Sequence, residues 1–207
     1  MKLVTHLTAT IAVVTTVAAA LMATSATAAP TTSMHGDMKM TQGDMNMSAQ
    51  RSSLRAQFNF LSHQVSNRCT LQPSTVMRMP STARLQGACC APMVFSDYVK
   101  QLHGLKAYAQ VSEIPADPYN VSVALAQRLF QFDRSYTLNA AQQTTYNAAM
   151  KMASEHGPCC CRCWRYVAFR GQAKELIARR RYSSAQIAQI WDLEDGCGSG
   201  NGGMMMG

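Results

Sequence analysis

Apolar residues recur three and four positions apart along most of the chain between residues 50 and 197. This spacing places them on one face of an α-helix. The first predicted helix is capped by Ser52 or Ser53. Its apolar face consists of Leu54, Phe58, Leu61 and Val65. Further helices are predicted from Ser96-Asp97 to Tyr108, over 121–134, from Asn139 to Gly157, from Trp164 to Arg181, and from Ser183 or Ser184 through Trp191.

Two stretches interrupt this pattern. Residues 67–95 show no period and hold Cys69, Cys89 and Cys90, and connections of this length are often functional. The two prolines of residues 114–120 predict a turn. No segment alternates as a strand does, so the sequence predicts an all-α domain of about five to six helices over residues 50–197.

Residues 1–29 have the layout of a secretory signal peptide. A weakly basic start precedes an apolar run from Leu7 to Met22, and Ala26-Thr27-Ala28 provides a small-residue cleavage site. No basic stop-transfer flank follows the run. We therefore expect an exported protein, periplasmic or secreted, that has no membrane span after cleavage.

The charge and the motifs restrict the possible functions further. The chain has 19 Lys and Arg against 11 Asp and Glu, a formal net charge of +8. This charge is spread along an exported chain, so we expect no nucleic-acid partner. No nucleophile elbow, phosphate loop, paired-carboxylate signature or His-Glu metal motif is present, so no enzyme activity is predicted.

Methionines are concentrated at both ends of the chain. The segment 30–49 reads as a disordered tail, and its repeated Met-x-Met motifs contain Met38, Met40, Met45 and Met47. In the Gly-rich tail 198–207, three more methionines follow a run of glycines. Thioether sulfur binds Cu(I) or Ag(I) without first losing a proton. The alternative is that these methionines only take up oxidants.

Half of the eight cysteines fall within five residues, as Cys159, Cys160, Cys161 and Cys163. A helix starting at Pro158 would place three of these sulfurs on one face, near the positive end of the helix dipole. Such a position lowers thiol pKa values and favours the thiolate, the form that binds metals. His156 lies close enough in sequence to be a further candidate ligand.

Three interpretations of these thiols remain open. The cluster forms a soft-metal site for Cu(I), or for another soft ion or zinc, together with Cys89, Cys90 and Cys197. Alternatively, the Cys-x-x-Cys spacing of Cys160 and Cys163 serves thiol–disulfide redox chemistry. In the third interpretation all eight cysteines form structural disulfides, each pairing a cluster cysteine with one outside it.

The segment from Glu155 to Cys163 resembles the bacterial PCYCGC-motif proteins, which are exported and often lipid-anchored. Pro158, Cys159, Cys161 and Cys163 match the motif, and the resemblance extends over roughly residues 146–192. Cys160 and Arg162 depart from the motif, and the chain lacks a lipidation cysteine. The resemblance implies an exported metal-binding protein whose alternate cysteines lie in a looped turn.

Together these patterns predict an exported protein that binds Cu(I) for sequestration, storage or transfer. The cysteines would hold the ion tightly, the methionine tails would capture it weakly, and a metal-transfer protein is a possible partner.

Overall fold

The computed structural model describes residues 42–198, and residues 42–45 by their backbone alone. This part of the chain is mostly helical, as predicted, but it also contains a small antiparallel sheet. Its helices are α1 Gln42–Ser62, α2 Pro73–Val76, α3 Phe95–Leu105, α4 Val123–Ser135, α5 Ala140–Met152, α6 Trp164–Arg180 and α7 Ser184–Leu193. Its strands are β1 Arg84–Gln86 and β2 Asn120–Ser122. None of the helices within residues 42–198 is long and apolar enough to cross a membrane.

Helix α1 begins at Gln42, ten residues before the earlier of its two predicted caps, Ser52. The prediction of a disordered tail over 30–49 is therefore wrong from residue 42 onward. Once a helix is anchored at one end, each added residue gains a hydrogen bond without a new nucleation cost. The anchor is the buried Leu61, whereas Val65 lies beyond the helix and is 63% exposed.

The sheet was missed because each strand has only three residues, too few to show an alternating pattern. Leu85 of β1 pairs with Val121 of β2, and both side chains are fully buried. The sheet therefore joins the irregular segment 67–95 to the start of α4.

Helices α4 and α6 form the centre of the helical frame. Leu129 and Phe130 of α4 are buried in the same apolar core as Ala168 and Leu176 of α6. Gly171 allows the close approach of the two helices, because a Cβ atom there would lie 2.0 Å from the carbonyl oxygen of Leu129.

The starts of α5 and α7 confirm the predicted caps. Asn139 and Gln142 form a capping box at α5, and Ser183 and Gln186 form one at α7. In each box the side chains satisfy backbone N–H groups that have no partner inside the helix. Helix α5 ends at Met152, five residues before the predicted Gly157.

Candidate metal centre

The cysteines lie in four stretches of the chain, and the fold brings their sulfurs close together. Two of these stretches run side by side, since the N–H of Cys89 donates to the Gly196 carbonyl at 2.9 Å and that of Ala91 donates to Cys197 at 2.7 Å. Gly198 has φ +107°, and a Cβ atom there would lie 1.9 Å from the Ala91 carbonyl oxygen. Glycine is therefore required at position 198, where the two backbones approach closely.

A third stretch is held against the start of α6. The backbone N–H of Trp164 donates to the Leu71 carbonyl at 2.9 Å. The buried Trp164 indole N–H donates to Asn67 Oδ1, also at 2.9 Å. The N–H of Cys69 donates to the Cys89 carbonyl at 3.3 Å. Cys69, Cys89 and the start of α6 are thus tied together by backbone contacts that need no metal.

The Pro158–Cys163 segment is a loop, and Cys163 is the residue before the first turn of α6. A helix starting at Pro158 is therefore wrong, and the looped turn implied by the family resemblance is the observed conformation. The chain reverses immediately before the loop, where His156 has φ 51° and Gly157 has φ 156°. The reversal carries the loop back toward the other cysteines.

One disulfide is present, between Cys69 and Cys90, whose Cα atoms are 6.0 Å apart. Both cysteines lie outside the 159–163 cluster, so the expected pairing of each cluster cysteine with an outside partner is not observed. Cys90, predicted as a metal ligand, is instead bonded to Cys69. The free cysteines are Cys89, Cys159, Cys160, Cys161, Cys163 and Cys197.

Five of the free thiols form two groups of three sulfurs, and Cys159 belongs to both. Within each group all sulfurs lie within 4.8 Å of one another. The Sγ of Cys159 lies 3.9 Å from that of Cys197 and 3.7 Å from that of Cys161. The first group is Cys89, Cys159 and Cys197, and the second is Cys159, Cys160 and Cys161.

These spacings suit a thiolate-bound metal ion. A metal–sulfur bond of about 2.3 Å at trigonal or tetrahedral angles places neighbouring sulfurs about 3.8–4.0 Å apart. The Cys89–Cys197 separation is 3.8 Å and the Cys159–Cys197 separation is 3.9 Å. The first group therefore needs little rearrangement to surround an ion.

The protonation of the cluster is organised around Cys159. The pKa of the Cys159 thiol lies well below its ordinary value, first because of the hydrogen bond from Cys161 and then because of those from other thiols. The pKa values of Cys89 and Cys197 are raised, first because hydrogen bonding with Cys159 favours their protonated forms. The first negative charge of the cluster is thus held at the sulfur that the two groups share.

Arg165 places a buried positive charge beside these sulfurs. Its guanidinium donates to the Pro118 carbonyl at 2.8 Å and to the Glu194 carbonyl, and the residue is 1% exposed. Burial lowers the pKa of Arg165, but negative charge at the thiols, first at Cys159, outweighs it, and the pKa is raised. The cluster is therefore the electrostatic partner of this cation.

A second buried ionisable group, the carboxyl of Glu194, interacts with Arg165. Glu194 is fully buried, and its Oε1 accepts a hydrogen bond from Gln172 at 2.5 Å. Burial raises the pKa of Glu194 to about 8, against the lowering effects of Gln172 and Arg165. Sequence reasoning missed the burial of both groups. An acidic residue before a glycine turn is typical of a solvated loop, and only the positive charge of Arg165, two residues after Cys163, could be read from the sequence.

Several predicted ligands lie elsewhere. His156 is exposed and belongs to none of the sulfur groups that the described residues form. Cys163 is buried immediately before α6, and it also belongs to none of these groups. Met47 is 70% exposed on α1. Met38 and Met40, also predicted as ligands, lie outside the described residues, as does the side chain of Met45.

Comparison with known proteins assigns no family to this arrangement. No family model matches the chain, and neither curated proteins nor solved structures give a match. The chemistry of the site is therefore argued from its own residues, as a cysteine cluster able to hold a metal ion.

Proposed function

We propose that this is an exported protein that binds Cu(I) through its thiol cluster, for sequestration, storage or transfer. One observation carries the proposal: five free thiols from three separate stretches lie in two three-sulfur groups. Packing alone does not require so many sulfurs in contact, whereas soft monovalent ions favour thiolate ligands at low coordination number.

The surroundings of the cluster support an anionic metal site. Three thiolates around one Cu(I) carry a net charge of –2, which is costly to bury without a compensating cation. The guanidinium of Arg165 is such a cation, and its raised pKa keeps it charged. The low pKa of Cys159 makes one thiolate ligand available before the metal arrives.

The methionine-rich ends and the signal-peptide pattern complete the proposal. Thioether ligands would capture Cu(I) weakly and pass it to the thiolates, because thiolate sulfur is the stronger ligand. Removal of a leader over residues 1–29 would place the protein in an oxidising compartment, where the Cys69–Cys90 disulfide is stable.

Competition for Cu(I) with a colorimetric chelator tests the proposal, using protein purified without reductant. The C159S variant removes a ligand from both groups, and we expect its Cu(I) affinity to fall by at least about 100-fold. The matched C160S variant leaves the Cys89–Cys159–Cys197 group complete and is expected to lose less than about tenfold. Equal affinities for wild type and C159S would defeat the proposal.

The Cys69–Cys90 disulfide favours one competing function, a disulfide-stabilised structural or interaction protein that binds no metal. A thiol titration of metal-free protein separates the two. The proposed metal site requires the six free cysteines of the structure to react. If the purified protein contained almost no reactive thiol and all eight cysteines were paired, the structural function would replace the metal site.

A further inference from the structure

A third sulfur group lies around the disulfide itself. The sulfurs of Cys69, Cys89, Cys90 and Cys161 all lie within 4.8 Å of one another. The Sγ of Cys89 is 3.6 Å from that of Cys69 and 3.2 Å from that of Cys90. Two of these four sulfurs are joined as the disulfide, so the group cannot supply four thiolates while that bond is present.

We propose that reduction of the Cys69–Cys90 disulfide opens a four-thiolate site for a tetrahedral ion such as Zn(II). The inference rests on the proposed function only in treating the cluster as a metal site. It differs in residues, because it uses the disulfide cysteines, and in the ion, because four thiolates suit tetrahedral Zn(II) rather than low-coordinate Cu(I).

The reductant is a dithiol, and the exposure of the sulfurs indicates where it attacks. Cys90 is exposed, whereas Cys69 is half-buried. A thiolate of the dithiol attacks Cys90 Sγ, the Cys69–Cys90 bond breaks, and Cys69 leaves as a thiolate. The second thiol of the dithiol then attacks the other sulfur of the same dithiol, which is bonded to Cys90 Sγ in the mixed disulfide. Cys90 is released as a thiolate, and the dithiol, having given two electrons, becomes a disulfide.

The released sulfurs remain close to the other ligands after reduction. Cys69 Sγ lies 3.1 Å from the Cys89 carbonyl oxygen, so once the released thiolate takes up a proton from water, the thiol has an acceptor within the group. Reduction also lets the sulfurs of Cys69 and Cys90 separate to the spacing of about 3.8 Å that tetrahedral thiolates need.

The four-sulfur site leaves a complete three-sulfur set beside it. Cys159, Cys160 and Cys197 are not among the four ligands. The Sγ of Cys197 is 3.0 Å from that of Cys160 and 3.9 Å from that of Cys159. In the reduced protein the cluster therefore divides into two sets with no sulfur in common, while in the disulfide form the two sets share Cys159.

Metal binding and disulfide reduction are consequently coupled. An ion that binds only the reduced form stabilises that form by mass action, and the coupling is reciprocal. Bound Zn(II) should thus protect Cys69 and Cys90 from reoxidation, and reoxidation should release the ion. The disulfide would act as a switch for the metal content of the site.

The test measures Zn(II) affinity of the full chain by competition with a chromophoric chelator, before and after treatment with dithiothreitol and anaerobic removal of the reductant. We expect reduction to tighten binding by more than about 100-fold in the wild type. The C69S variant lacks one of the four ligands and should show less than about tenfold gain. C160S lacks a neighbouring thiol but none of the four, so it should keep the full gain.

Co(II) provides a second readout, because visible absorption bands report tetrahedral thiolate coordination directly. Bands in reduced wild type and reduced C160S, but not in reduced C69S, would support the four-thiolate site. Equal Zn(II) affinity in the oxidised and reduced wild type would overturn it, as would a full gain in C69S. Either result could occur with Cu(I) binding intact, so this inference and the proposed function fail separately.

Discussion

The helical frame and the thiol cluster are built in different ways. The frame, centred on α4 and α6, is joined by buried apolar side chains and by ion pairs such as that of Asp133 with Lys174 at 2.9 Å. The cluster lies in loops, and its residues are positioned by hydrogen bonds between backbone groups far apart in sequence, such as Cys89 and Gly196.

From this difference we expect that folding and metal chemistry can be altered separately. The frame buries its own apolar surface without using a sulfur–metal bond, which is possible in a chain of this length. In the cluster, two of the eight cysteines form a disulfide and the other six are free. The two regions are linked, because Cys159 and Cys197 are buried in the same apolar core as α4 and α6. Arg165 and Glu194 add a polar link, since both are buried and the Arg165 guanidinium donates to the Glu194 carbonyl.

The largest expected effect on stability comes from the buried carboxyl group of Glu194. The folded-state pKa of Glu194, about 8, lies above its ordinary value of 4.5. Its contribution to stability is therefore complete below pH 4.5 and is lost as the pH rises through about 8. The glutamine of the E194Q variant does not titrate. The free energy of unfolding of E194Q should therefore exceed that of the wild type by an amount that grows across this pH range, to at most about 5 kcal/mol.

Urea unfolding at a series of pH values measures this advantage. The D97N variant changes a carboxylate whose ion pair with Lys100 is on the surface, and it should keep the wild-type pH profile. Parallel profiles for wild type and E194Q would show that Glu194 does not control the pH dependence.

The second prediction breaks the frame without touching a sulfur. In G171A the new Cβ would meet the backbone of α4 at 2.0 Å, so the helices must separate, at a cost of about 3 kcal/mol. In the matched G104A variant the three atoms nearest to the Cβ all belong to the side chain of Leu193, which can turn aside. Chemical denaturation should therefore show a loss of less than about 1 kcal/mol for G104A.

The third prediction separates the charge of Arg165 from its geometry. R165K keeps the positive charge beside the thiols but loses the two-pronged donation to Pro118 and Glu194, at a cost of about 2 kcal/mol of stability. Its Cu(I) affinity should stay within about tenfold of wild type, whereas R165M, which has no charge, should lose more. Chelator competition on both variants measures this difference. Equal affinities of R165K and R165M would show that the charge of Arg165 does not contribute to Cu(I) binding.

The smallest expected effect lies far from the cluster. N139A removes the side chain that accepts a hydrogen bond from the Gln142 N–H at 2.9 Å, and it should lower the free energy of unfolding by about 1 kcal/mol. N139D retains a capping oxygen and should match the wild type in thermal unfolding. Neither variant should change Cu(I) affinity, and a change in affinity would mean that the frame and the cluster are not independent.

The sequence alone determined the helical frame, because amphipathic periodicity and capping residues act locally. Asn139 and Ser183 marked helix starts that the structure confirms. The start of α1 and the three-residue strands were missed, because elongation from a packed end and pairing of short strands leave no periodic signal.

The tertiary structure decided which thiols meet and which are already bonded. The sequence identified the cysteines as candidate ligands, but it did not predict the Cys69–Cys90 bond or the central place of Cys159. Both depend on contacts between loops separated by as many as 108 residues, as for Cys89 and Cys197. Local sequence preferences do not specify such contacts, because they form only when packing of the frame brings the loops together.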